Sequence, residues 1–192
     1  VGTGGKGESV LFPMAALGAT PTALCDIDAR RLVKGAFKFP KAGVYADYRR
    51  MLDKQHKDFD GVVISTPDHT HAPIALACMQ MGKHVYCEKP LTHNIHEVRV
   101  LMDAARRYKV HTQMGQQGHA SEGNRLQVEA VRAGVVGAIK EVHICTDRPI
   151  WPQGGYAPSV GELVPDTVQW DLWLGPAQYR PFHKAYHPFN WR

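Results

Sequence analysis

The chain is poor in cysteine, with four in 192 residues, and no two of them form a Cys-x-x-Cys pair. Cys25, Cys78, Cys87 and Cys145 are too dispersed for a structural zinc site or a disulfide framework. Most fall in apolar stretches that read as strands, which marks them as buried, reduced fillers. Long apolar runs are missing too: none approaches the roughly 20 residues that cross a bilayer. The opening residues show no secretory signal pattern. A cytoplasmic protein without a membrane partner is the expectation. Periplasmic export stays open, because Val1 runs straight into the Gly2 turn and the body of a preceding strand is expected outside these residues.

Blocks of one charge are also lacking. The formal charge is +5, from 23 Lys and Arg against 18 Asp and Glu, and the two signs alternate along the chain. The longest basic groups, Arg30-Arg31 and Arg106-Arg107-Tyr108-Lys109, read as a helix surface and a helix end, so no nucleic-acid footprint is expected. There is no internal repeat and no low-complexity run. The 13 prolines and 18 glycines punctuate periodic segments, as in a folded chain.

Those segments alternate between two periods. Residues 22–25, 62–65, 84–87, 110–114 and 141–146 are rich in apolar and β-branched side chains and read as strands. Residues 95–108 place Ile95, Val98, Leu101, Met102 and Ala105 on one helical face, with Asn94 and Glu97 as a capping pair. A second helix is predicted over 71–81, with Pro73 in its first turn and Gly82 at its end. Pro13 either kinks the first helix or delays its start. Helices between strands imply an α/β fold with a doubly wound parallel sheet. A polar, glycine-bearing joint, Gly115-Gln116-Gln117-Gly118, sets a domain boundary near 118. Residues 1–118 then form a Rossmann-type domain, and 119–192 begin an α+β substrate domain.

Gly2-Thr3-Gly4-Gly5-Lys6-Gly7 fits G-x-G-x-x-G, in which the glycines allow a tight turn, approach to a pyrophosphate and close helix packing. A plain strand-to-helix turn would look the same. Asp26, with Ile27 beside it, closes the next strand where an acid can bind a ribose 2′-hydroxyl, and a carboxylate there repels a 2′-phosphate. NAD is therefore favoured over NADP, although Arg30 and Arg31 keep NADP open. Asp28 suits a helix cap better than Asp26 does. Two more polar groups close strands: Ser65-Thr66-Pro67-Asp68-His69-Thr70-His71 and Glu88-Lys89-Pro90. His69-x-His71 has no third ligand at metal spacing, so no metal is expected.

In these ordered marks the chain resembles the glucose–fructose oxidoreductase/inositol dehydrogenase family, often called Gfo/Idh/MocA. The Glu88-Lys89-Pro90 tripeptide is the most specific of them. The late run Trp170-Asp171-Leu172-Trp173-Leu174-Gly175-Pro176 is similar to a bacterial branch of that family. The resemblance implies that Thr66, Pro67 and His71 line the cofactor cleft, that Glu88 faces the nicotinamide ribose, and that Lys89 reaches the reacting hydroxyl as a base. Without it, Lys89 could equally be a surface lysine before a turn. Many members carry Asn and Arg after the fifth strand; here the run is Met114-Gly115-Gln116-Gln117-Gly118, and Gln116 is carried over as a nicotinamide contact. The resemblance further implies a longer protein, truncated here at both ends, whose antiparallel second sheet mediates homo-oligomer contacts.

Three functions follow as expectations. The leading one is an NAD(P)-dependent oxidoreductase that transfers hydride between a sugar or cyclitol secondary alcohol and nicotinamide. An NAD-dependent glycosidase, with transient oxidation and no net redox change, is the alternative within the family. A non-catalytic NAD-binding sensor is the third.

Overall fold

A computed structural model describes residues 1–147, 158 and 160–187. Helix α1 (Lys6–Ala16) starts directly after the glycine-rich turn and carries Pro13 inside it, so the proline does not delay the helix. Next come β1 (Ala23–Cys25), α2 (Ala29–Lys38), β2 (Gly43–Tyr45), α3 (Tyr48–Gln55) and β3 (Gly61–Ile64). They are followed by α4 (Asp68–Gln80), β4 (His84–Glu88), α5 (Ile95–Tyr108) and β5 (Thr112–Gly115). Short polar side chains fix several helix starts. Asp28 accepts from Arg30 N, Asp47 from Arg49 N and Asn94 from Glu97 N, each a cap worth about 1 kcal/mol. Glu97 in turn accepts the His93 N–H, one residue ahead of the cap.

All strand pairs are parallel: β1 with β2, and β3 with β4 with β5. Val1 and Gly2 join the two sheets. The Val1 nitrogen donates to Val63 O at 2.6 Å, Val1 O accepts Ser65 N at 2.9 Å, and Gly2 N donates to Cys25 O at 2.8 Å. Bonding to residues two apart is the parallel pattern, so the order across the sheet is β2, β1, the Val1–Gly2 pair, β3, β4, β5. This is a Rossmann-type winding, with the order reversing at the glycine-rich turn.

The core lies between these strands and helices α3, α4 and α5. Ile64, Ala75, Cys78 and Cys87 are fully buried, with Leu52, Ile74, Met79 and Leu101 around them. Truncating Ile64 to alanine would cost about 2–5 kcal/mol. Helix α4 begins at Asp68, three residues ahead of its predicted start, so Pro73 sits within it and not in its first turn. Burial pushes the Cys25, Cys78 and Cys87 thiols up to about 12, which keeps them inert. Cys145 differs from them: it is exposed.

The chain divides into two interleaved compact units, Val1–Gly115 with Val164–Arg180, and Gln116–Leu163 with Pro181–Arg192. The polar joint at 115–118 suggests one cut near 118, but the segment Val164–Arg180 returns to the first unit. It does so through main-chain bonds: Ala29 N to Thr167 O and Gln169 N to Ile27 O, both 2.9 Å, around an antiparallel bridge between Asp28 and Val168. Helix α7 (Trp170–Leu174) follows α6 (Glu122–Arg132) in chain order and stacks Trp170 on Trp173 at 4.7 Å.

In the second unit, α6 is capped by Ser121, and Glu162 accepts Lys184 N at 3.0 Å and pairs with Lys184 Nζ at 3.1 Å. The strand predicted over 141–146 does not form. Among the described residues it has no neighbouring strand to pair with, and Val142 and Ile144 are exposed. His143, expected in that strand, pairs instead with Glu141 at 3.0 Å on the surface. The aromatic residues Trp151, Phe189 and Trp191 lie outside the described residues. Among the described residues no helix is long and apolar enough to cross a membrane.

Candidate functional site

The glycine-rich turn is shaped by close backbone approach. At Gly2, with φ +78°, a Cβ would stand 2.7 Å from the Ser65 main chain; at Gly7 it would stand 1.7 Å from Gly2 O. Only glycine lets the turn, the Ser65 strand end and the first turn of α1 meet. Around Gly5 there is open space, and the N-terminal N–H groups of α1 begin there, the usual arrangement for holding an anion.

Asp26, at the carboxyl end of β1, organises that turn. Its Oδ2 accepts Thr3 N at 2.7 Å and Gly4 N at 3.3 Å, and its Oδ1 accepts Asp28 N at 3.0 Å. Asp28 is fully buried and caps α2, while the Arg30 guanidinium holds it through two bonds of 2.9 and 2.7 Å. Arg30 is thus committed to Asp28. Arg31 lies along Gly4, with its Cδ 2.5 Å from where a Cβ would be. Ile27 contributes main chain, its carbonyl accepting Gln169 N.

The second half of the site gathers at the ends of β3 and β4. Ser65 Oγ and Glu88 Oε1 are buried polar atoms without a hydrogen-bond partner. Glu88 is 4% exposed, and the nearest cation, Lys6 Nζ, stands 3.5 Å from that oxygen. Gly115 makes room for the carboxylate, since a Cβ there would be 2.6 Å from Oε1. Lys89 follows on the surface, joined to Pro90 by a cis peptide, and has no ion-pair partner among the described residues. Thr66 Oγ1 accepts from Thr70 Oγ1 at 2.8 Å, and Pro67 stands at the N-cap position of α4 without a side-chain capping bond.

His71 is placed differently from a cleft-lining residue. It is 1% exposed, and both ring nitrogens face main-chain carbonyls, Nδ1 at 2.7 Å from Pro90 O and Nε2 at 2.8 Å from Thr66 O. No ring nitrogen is left over for a ligand. His69 turns the other way, its Nε2 donating to Trp173 O at 2.9 Å with the rings edge-on at 5.4 Å; burial lowers its pKa. Gln116 opens the second unit, exposed, with its carbonyl accepting His119 N.

One unit therefore brings together Gly2, Gly4, Gly5, Lys6, Gly7, Asp26, Ile27, Thr66, Pro67, Glu88 and Lys89 along the carboxyl ends of its strands, where ligands of open α/β sheets bind. Thr3, Ser65 and Gly115 belong with them. Sequence reading overlooked Thr3 as a loop tie and Gly115 as the seat of Glu88; a glycine closing a strand beside a polar joint was the available signal for the latter. The groups fit a dinucleotide, because the open N-terminus of α1 suits a diphosphate and two orphaned oxygens await donors or acceptors. A cavity of about 160 Å³ between β1 and β3 is lined by Leu11, Leu24, Met51, Phe59 and Val62 and reaches the glycine-rich turn at Gly2, Thr3 and Gly7. Among the described residues no three His, Cys, Asp or Glu side chains group to hold a metal.

Residues 1–116 match the family model described as oxidoreductase family, NAD-binding Rossmann fold. A glycosyl hydrolase family 109 protein 1 from Shewanella sp. (strain ANA-3) is 32% identical over 149 residues, covering 72% of this chain and 32% of that protein. An inositol 2-dehydrogenase from Rubrobacter xylanophilus is 34% identical over 145 residues, covering 72% of this chain and 40% of the relative. Among solved structures, an NAD binding oxidoreductase from Klebsiella pneumoniae is 30% identical with a TM-score of 0.57, over 71% of this chain and 38% of that one. The chain thus spans well under half the length of the proteins it matches.

Proposed function

Because the chain belongs to the Gfo/Idh/MocA oxidoreductase family, with its NAD-binding Rossmann fold, we propose that it holds NAD for hydride transfer between a secondary alcohol of a sugar or cyclitol and nicotinamide. The observation that carries this reading is Glu88. A buried carboxylate oxygen with no hydrogen bond, set directly before the exposed Lys89, asks for a donor, and a ribose hydroxyl supplies one.

In this reading the diphosphate rests on the main chain of Gly2, Gly4, Gly5 and Gly7 at the start of α1, with Lys6 as its nearest cation. Asp26, with Ile27 beside it, accepts the adenosine ribose hydroxyls, and its charge repels a 2′-phosphate, which favours NAD over NADP. Thr66 and Pro67 flank the middle of the groove, and Glu88 receives the second ribose. When bound, the nicotinamide accepts hydride at its C4. Lys89 takes the hydroxyl proton with its amine as the substrate carbon gives up hydride, so charge does not build on the alcohol oxygen. Gln116 as a nicotinamide contact, and assembly into a homo-oligomer, remain part of the proposal.

A second reading rests on the glycosyl hydrolase family 109 relatives, at 30–35% identity in most cases, and on an alpha-N-acetylgalactosaminidase from Shewanella oneidensis at 32%. The same groups would oxidise a sugar transiently and take the hydride back after the aglycone leaves. To separate the two, the native protein is given NAD with myo-inositol, and separately with p-nitrophenyl α-N-acetylgalactosaminide. Accumulating NADH supports the dehydrogenase; p-nitrophenol release without net NADH supports the glycosidase. Tight NAD binding with neither product across a wider panel of sugars and cyclitols contradicts both and leaves a binding protein.

A further inference from the structure

We infer that His71 is a positioning residue for the nicotinamide end of the groove, tying the turn after β3 to the turn after β4 through one buried ring. The inference rests on the NAD reading above and adds a part that the reading does not contain.

The geometry is specific. His71 stands in the first turn of α4, and its ring is enclosed at 1% exposure. Thr66, whose carbonyl meets Nε2 at 2.8 Å, ends the β3 turn; Pro90, whose carbonyl meets Nδ1 at 2.7 Å, directly follows Lys89. Among the described residues this is the side chain that bonds both turns. Thr70 reaches only the first, through Thr66 Oγ1 and Pro67 O, both at 2.8 Å. The two carbonyls lie on opposite sides of a rigid ring, so their separation is set by the ring's width and cannot drift as it could across a flexible side chain.

The hydrogen-bond inventory sharpens the point. Two carbonyl oxygens are acceptors only, and together they ask for two N–H donors. An imidazole sets one ring nitrogen against each of them, a glutamine amide reaches one, and a phenyl ring of similar shape reaches neither. Losing the tie leaves the Thr66 carbonyl without its ring partner and frees the Pro90 carbonyl, with Lys89 one residue away, to move relative to Thr66. Asp26 and the glycine-rich turn are held by their own bonds, none of which passes through His71. The effect of His71 should therefore be confined to one end of the dinucleotide. A residue that served the core alone would weaken the whole groove evenly.

That difference is measurable without knowing the substrate. NAD and ADP share the adenosine and diphosphate, and ADP lacks the second ribose and the nicotinamide. The native protein and its His71→Phe and His71→Gln variants are titrated with each by calorimetry, with Asp26→Ala as the control for the opposite end. Circular dichroism and thermal unfolding establish that each variant is folded. His71→Phe is expected to lose about tenfold in NAD affinity, the scale of one buried hydrogen bond, while ADP affinity changes by less than about twofold. His71→Gln, which keeps one donor, is expected between His71→Phe and the native protein and carries the test alone if the phenylalanine variant unfolds. Asp26→Ala should weaken both ligands alike. Equal losses on NAD and ADP in the His71 variants, or no loss on either, overturn the inference while leaving the NAD reading standing. A native protein that binds neither ligand overturns both.

Discussion

The Glu88 carboxylate rests directly on Gly115: a Cβ at that position would stand 2.6 Å from Oε1 and 2.9 Å from Oε2. The glycine at the end of β5 is what allows the acid at the end of β4 to turn into the site. Gly115→Ala should displace the carboxylate and cost about tenfold in NAD affinity, comparable to Glu88→Ala. The two substitutions together should cost little more than either alone, since both remove one contact. Calorimetric titration of the three variants decides it, and full additivity would separate Gly115 from Glu88.

Asp26 accepts two main-chain N–H groups of the glycine-rich turn through one oxygen. Replacing it by alanine removes both the ribose acceptor and the repulsion of a 2′-phosphate. Affinity for NAD should fall more than affinity for NADP, so that their ratio shifts by about tenfold or more. An unchanged ratio would leave Asp26 with the loop and take the ribose away from it.

His69 supplies a pH dependence whose sign can be worked out. Burial lowers its folded-state pKa below the ordinary 6.5, so the folded protein favours the neutral ring more than the unfolded chain does. Its contribution to stability is complete above that value and is lost as pH falls through the lowered folded pKa. Urea midpoints followed by tryptophan fluorescence should begin to drop as pH falls below about 6.5 and keep dropping through the lowered pKa of the folded state. His69→Gln, which retains a donor toward Trp173 O, should show a smaller drop. An equal drop in both proteins would remove His69 as the cause.

Three of the four thiols are buried and pushed up to about 12, whereas Cys145 is exposed. A thiol-reactive disulfide reagent should modify Cys145 in the native protein and reach Cys25, Cys78 and Cys87 only after unfolding. Peptide mapping after brief exposure tests this. Early labelling of Cys78, at the centre of the core, would contradict the packing described.

Much of the first unit was legible because its signals are local. Asn94, the apolar face from Ile95 to Ala105 and the basic end identify α5 without reference to anything distant. Asp28 as a cap and the Gly2–Gly7 turn are equally local. Strand β2 was not read, because three residues, Gly43–Tyr45, carry too little pattern and are strand only by pairing with β1. The 141–146 segment erred the other way: its β-branched residues suit a strand, but pairing decides, and no described strand pairs with it. The return of Val164–Arg180 to the first unit depends on bonds between Ile27–Ala29 and Thr167–Gln169, far apart in the chain. His71 was read as facing the cleft because its motif lies at the cleft; burial behind Thr66 and Pro90 is a property of the packed fold.

The central claim, hydride transfer assisted by Lys89, is tested most directly by steady-state NADH formation in the native protein and in Lys89→Ala. The measurement uses NAD with whichever sugar or cyclitol of the panel gives the fastest native rate, and NAD affinity is measured in parallel. The account predicts a turnover lower by about a hundredfold or more in Lys89→Ala, the usual scale for losing a general base, with NAD affinity changed by less than about threefold. A Lys89→Ala protein that forms NADH at near the native rate would contradict it.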